Sequence, residues 1–189
     1  IAAVEERRVL VLCTLIAGFG EVVLSLVWGL YDYQFHNVPL FVPPGHALLM
    51  TLGLVVARRV RLPLAWSITL AASLWAVHAW TAGFDRFGAV LFGVYLLCMF
   101  ASGARALYAT MFVLALLMEL YGTALGNWRW QEVAPGLGLT QFNPPFSAGA
   151  FYCLLDLLVL AALRALPAAR VAVDGNIVAD SGRQASKNS

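Results

Sequence analysis

The feature that most constrains this chain is a succession of six apolar runs separated by short polar breaks. They cover roughly residues 9–30, 40–57, 62–82, 88–104, 105–125 and 146–165. A hydrocarbon core about 30 Å thick takes about 20 apolar residues per helix. Inside it every backbone polar group needs a partner within the protein, which favours helices for such runs. At 61% hydrophobic and 12% charged residues, with a mean hydropathy of +0.81, the chain is too apolar for a soluble domain. The expectation is an all-α, polytopic membrane protein: six transmembrane helices over residues 1–166, then a polar cytoplasmic tail over 167–189. The break Ser102-Gly103-Ala104-Arg105 leaves room only for a tight hairpin between the fourth and fifth runs.

The cationic residues orient these helices. Of 12 Lys and Arg residues, Arg7, Arg8, Arg58, Arg59, Arg61, Arg105, Arg164, Arg170, Arg183 and Lys187 fall on one side of the six runs, and Arg86 and Arg129 on the other. The positive-inside rule then predicts cytoplasmic termini in a bacterial-type inner membrane. Trp28, Tyr31, Tyr33, Trp80, Trp128 and Trp130 fall at the outer interface, where amphipathic rings settle. A net charge of +2 that comes from the inner loops gives no case for nucleic acid. Cys13, Cys98 and Cys153 sit inside apolar runs without Cys-x-x-Cys spacing and read as packing residues.

One pattern occurs twice. Glu21 is followed by Gly29-Leu30-Tyr31-Asp32-Tyr33 and then Pro43-Pro44. Glu119 is followed by Gly126-Asn127-Trp128-Arg129-Trp130 and then Pro144-Pro145. Each copy places an acid in an apolar run, ahead of a Gly-x-aromatic-x-aromatic phrase. Both copies run the same way, so the reading is a parallel internal repeat, helices 1–2 and 5–6, around helices three and four. The two longest loops belong to the repeats and read as ordered outer caps.

At 1.5 Å per residue, Glu21, Glu119, Asp156, His46 and His78 all fall in the outer half of the bilayer. Carboxylates at such depth are costly and mark sites. Glu21 and Glu119 are the candidate proton donor and acceptor, with Asp156 as a tuning partner that could pair with Glu119 or His78. His46, His78, Tyr31, Tyr33, Trp128, Trp130 and Asn143 are candidate substrate-binding residues. The structural alternative gives each glutamate a local partner, Ser25 for Glu21 and Thr123 for Glu119.

Three chemistries use this set. In acid–base catalysis, a protonated carboxyl gives its proton to a double bond of an apolar lipid, and a second carboxylate steers water or stabilises the cation. In metal binding, Glu21, His46, His78, Glu119 and Asp156 are the ligands, each from a different helix. In a proton-coupled carrier, the glutamates alternate between protonated and loaded states. A non-catalytic subunit of a larger membrane complex is the fourth reading. The first is preferred, with no cofactor and with membrane lipid or a polyprenoid as partner. Glycine loops for nucleotides and Gly-x-Ser-x-Gly are lacking.

The phrases Glu21…Gly29-x-Tyr31-x-Tyr33…Val38-Pro39 and Leu125-Gly126-x-Trp128-x-Trp130…Gly138…Asn143 resemble the integral-membrane carotenoid-biosynthesis hydratases of the bisanhydrobacterioruberin hydratase type. The likeness covers the two repeat loops and adjoining helix ends. It implies a multi-helix membrane enzyme that adds water to the ends of long carotenoids without an obligatory cofactor. Glu21, Tyr31, Tyr33, Trp128 and Trp130 would match its motif residues. Where the family continues into Tyr-Gly-Val-Pro-x-x-Asn, this chain runs from Gly138 to Pro145 without that phrase.

Overall fold

The computed structural model describes residues 2–165, so the expected tail with Arg170, Arg183 and Lys187 lies outside the described residues. The described chain is mostly helical: α1 (Ala2–Glu21), α2 (Val42–Ala57), α3 (Leu62–Ala82), α4 (Arg86–Ala101), α5 (Arg105–Ala124) and α6 (Gly149–Ala165). Three segments are long and apolar enough to cross a membrane: Arg7–Val27, Leu62–Ala82 and Arg105–Ala124. Six helices form as expected, but three rather than six have the length and apolarity of a full span. α2 and α4 are apolar but have 16 residues each, about 24 Å of helix against a core of about 30 Å. α6 has 17 residues. The apolar runs overshoot these helices because Leu40-Phe41, Ser102–Ala104 and residues 146–148 are spent in turns.

α1 packs against α2 and α6, and α5 against the same two, so the four form a closed ring. The α3–α4 hairpin packs on the outside of α5 and α6. Helices three and four therefore stand beside the ring of the other four rather than within it. α3 makes its contacts through the small buried residues Ala65, Thr69, Ala72, Ala76 and Ala79. Many outward side chains are large and apolar, among them Leu15, Phe19, Leu48, Leu70, Leu97 and Leu117, a coat that hints at membrane association.

The cap over the ring is built by backbone pairing. After Glu21 the helix widens over Val22–Val27 into a π-helical segment. There the Trp28 amide donates to Val23 O at 2.8 Å and the Leu30 amide to Leu24 O at 3.0 Å. Gly29 and Gly126 then take φ of 72° and 73°, a left-handed turn that glycine adopts without steric cost. Each leads into a short strand, β1 (Tyr31–Tyr33) and β2 (Trp128–Trp130). They pair antiparallel, with Tyr31 opposite Trp130, Asp32 opposite Arg129 and Tyr33 opposite Trp128. A second ribbon joins β3 (Val133–Ala134) to β4 (Leu139–Thr140). Trp28 Nε1 donates to Pro135 O at 2.8 Å and Thr140 Oγ1 to Gly83 O at 2.7 Å. The fully buried Asp85 carboxylate accepts the amides of Gly88, Phe142 and Phe146 at 3.1, 3.2 and 2.8 Å.

Candidate functional site

Side chains alternate along a strand, so Tyr31 and Tyr33 leave β1 on one face, and Trp128 and Trp130 leave β2 likewise. All four point their polar ends at the two glutamates. The phenols of Tyr31 and Tyr33 both donate to Glu21 Oε2 at 2.7 Å. The indoles of Trp128 and Trp130 both donate to Glu119 Oε2 at 2.8 and 3.0 Å. The aromatic pairs are thus hydrogen-bond donors to the acids, a closer role than lining a pocket mouth or marking an interface. Glu21 and Glu119 are 6% and 5% exposed. Burial first, and Glu21 beside them next, hold the Tyr31 and Tyr33 phenols well above their ordinary range, so both stay protonated.

A third group reaches each acid from the ring helix that follows it. Tyr152 of α6 donates to Glu119 Oε1 at 3.1 Å. On α2, His46 Nε2 lies 3.5 Å from Glu21 Oε1, while its Nδ1 lies 3.0 Å from Val42 O. A carbonyl oxygen can only accept, so Nδ1 carries a hydrogen and Nε2 faces Glu21 either as a lone pair or as a second N–H. Indole N–H groups can only donate, so Glu119 Oε2 is fixed as an acceptor. The rings of His46 and Tyr152 stack at 4.6 Å and 3°, and Tyr31 leans on Trp130 at 4.7 Å.

Two cavities adjoin this cluster. One of about 330 Å³ opens between α2 and α5 and is lined by Phe41, Leu48, Leu52 and Met118. The other, about 350 Å³, opens between α1 and α6 and is lined by Phe19, Leu24, Phe151 and Leu158. Glu21, Tyr31, His46, Glu119 and Tyr152 line both. Tyr33 and Trp128 line the first, and Trp130 the second.

The remaining expected site residues lie elsewhere. His78 is exposed against Trp75 and Phe84, because α3 turns its small residues inward and lies outside the ring. Asp156 is fully buried, and neither oxygen has a hydrogen-bond partner. It lines neither cavity and lies within electrostatic reach of Cys13, Cys98 and Cys153, so its expected pairing with Glu119 or His78 is not formed. Tyr152, one turn closer to the cap, occupies that role. Asn143 is exposed, and its Oδ1 accepts the Trp130 amide at 2.9 Å, which positions β2 from outside the cavities. Thr123 donates to the Glu119 main-chain carbonyl at 2.7 Å, away from the carboxyl group. The five conditional metal ligands are not brought together: among the described residues no three His, Cys, Asp or Glu side chains are grouped to hold an ion.

Sequence reasoning missed Gly122, where a Cβ would stand 2.0 Å from the tip of the Trp128 indole. Its place one turn after Glu119 was the available signal. It also missed Asp85, whose only sign was an acid at the start of an apolar run. Comparison with protein-family models, curated proteins and solved structures returned no match.

Proposed function

We propose that this chain is a membrane enzyme that acts on a long apolar or polyprenoid lipid by acid–base chemistry. The carrying observation is that two buried glutamates, each held by two aromatic donors, stand together against cavities that are otherwise apolar. An apolar cavity offers a polar substrate few partners. A pair of acids beside a double bond offers a proton and a countercharge.

In this reading, the proton shared by Glu21 and His46 goes to an alkene carbon, whose π electrons form the new C–H bond. The cation left on the adjacent carbon lies near the Glu119 carboxylate, which the indoles hold as an acceptor. A water oxygen then forms the C–O bond and its surplus proton passes to a carboxylate, so the net change is addition of water. The resemblance to carotenoid hydratases agrees with that outcome. The surplus proton of the water returns to Glu21 through His46, which closes the cycle, and Tyr152 orients Glu119.

The same proposal takes all six helices as embedded in the inner membrane with cytoplasmic termini. The shorter α2, α4 and α6 end beneath the paired outer loops, which take up the remaining thickness. The symmetric β1–β2 register supports a parallel duplication, since exchanging the two strands returns the same three pairs. The test is turnover of the acyclic polyene lycopene by purified protein in detergent, read as a mass gain of one water. Glu21→Gln and Glu119→Gln should each lower it by about 10²–10⁴, and unaltered turnover in either variant overturns the mechanism.

A further inference from the structure

The two cavities differ little in volume, about 330 and 350 Å³, and they lie on opposite sides of one polar waist. The ring of helices is ordered α1–α2–α5–α6, so the α2–α5 gap and the α1–α6 gap face away from each other. Each mouth is rimmed by exposed apolar side chains: Phe41 and Leu48, 69% and 70% exposed, on one side, and Phe19, 72% exposed, on the other. Beyond the waist neither wall carries a charged residue. A polar headgroup placed in either lobe would lose its hydration without gaining partners.

We infer that the substrate is a linear chain that threads the bundle, with apolar arms of similar bulk in both lobes and its reacting bond internal, at the waist. The inference rests on the apolar-substrate reading above and adds the position of the reacting bond to it, an internal bond where the carotenoid hydratases that the chain resembles act at chain ends. A substrate attacked at its chain end would fill one lobe and leave the other empty. An amphiphile with its polar end at the waist would likewise fill one lobe only. At the waist the stacked His46 and Tyr152 rings stand between the lobes, so a threading chain parts them and brings its central bond against Glu21 and Glu119.

Squalene, a linear hydrocarbon with apolar arms on both sides of its centre, is the probe. With p-benzoylphenylalanine placed at Leu52, in the first lobe, or at Leu158, in the second, irradiation of the purified protein should cross-link squalene at both positions. Native mass spectrometry of the unsubstituted protein should find one squalene per chain. Leu49→Trp, which fills the first lobe, should bring capture at Leu158 to background, and Leu155→Trp should do the same at Leu52. Two squalenes per chain, capture at one position only, or capture that survives a block of the opposite lobe would each overturn threading and leave the apolar-substrate reading standing. The stoichiometry decides the matter even if a blocked variant fails to fold. No binding of squalene at all would overturn both.

Discussion

Glu21 and Glu119 occupy comparable places in the two halves, yet their partners differ in kind. Glu21 faces two phenols and an imidazole, all able to exchange donor and acceptor roles, whereas Glu119 Oε2 faces two indoles that can only donate. The scaffold is the same: a left-handed glycine, a three-residue strand and alternating aromatics. Tyr in one half and Trp in the other leave the two carboxyl groups in different surroundings: two phenols and an imidazole about Glu21, two indoles and the Tyr152 phenol about Glu119. The comparison shows how one two-stranded frame can hold two acids in unlike surroundings.

The largest expected effect comes from removing the acids. Gln at either position keeps an oxygen for the two aromatic donors, so Glu21→Gln and Glu119→Gln should fold normally while lycopene turnover falls by about 10²–10⁴. Equal losses of stability and turnover would mean that the acids serve packing only.

Gly122→Ala should come next. The added methyl collides with the Trp128 ring and should lower stability by about 3 kcal/mol, the upper end of overpacking costs. It should disturb the Glu119 half alone, because Leu24 stands at the matching position beside Glu21. Thermal unfolding together with Trp128 fluorescence would read both effects.

A smaller effect sharpens the donor contrast. Trp128→Phe and Trp130→Phe each remove an indole hydrogen bond to Glu119 and should cost about 1.5–3 kcal/mol if Glu119 is ionised. Tyr31→Phe and Tyr33→Phe should cost about 0.5–1.5 kcal/mol if Glu21 carries the shared proton. Equal costs in the two halves would remove the distinction between the acids.

Much of this site was legible because a carboxylate in an apolar run is expensive and therefore conspicuous. Its pairing with Gly-x-aromatic-x-aromatic also located the donors. That the rings would grip the acids was not legible, since the β1–β2 ribbon joins residues almost a hundred positions apart and no periodicity encodes it. His78 misled for a different reason: α3 is apolar on nearly every side, so sequence gives no inward face. Asp156 misled because depth alone does not specify a partner. The six runs were visible, but their division between helix and capping turn was not, and that division shortened α2, α4 and α6.

The smallest effect concerns Asp85, a carboxylate held by backbone amides alone among the described contacts. Burial pushes its carboxyl above the ordinary range, against the opposing pull of the Phe146, Phe142 and Gly88 amides. An acid raised in the folded state holds its proton longer there than in the unfolded chain. Stability should therefore fall as pH rises from the ordinary carboxylate value of about 4 through the folded value, then level off. Asp85→Asn should remove that slope in melting curves and leave turnover per folded molecule unchanged, in contrast to both glutamates.

The β1–β2 ribbon also governs how the two acids fail. Tyr31, Tyr33, Trp128 and Trp130 face inward only because Asp32 and Arg129 sit opposite each other. A slip of either strand by one residue would reverse the faces of that strand and strip one glutamate of both aromatic donors, while bringing the other strand out of register. The acids, on helices well separated in the chain, therefore share one mechanical setting. Evolution can retune either acid by changing rings, but neither strand can gain or lose a residue without disarming the pair.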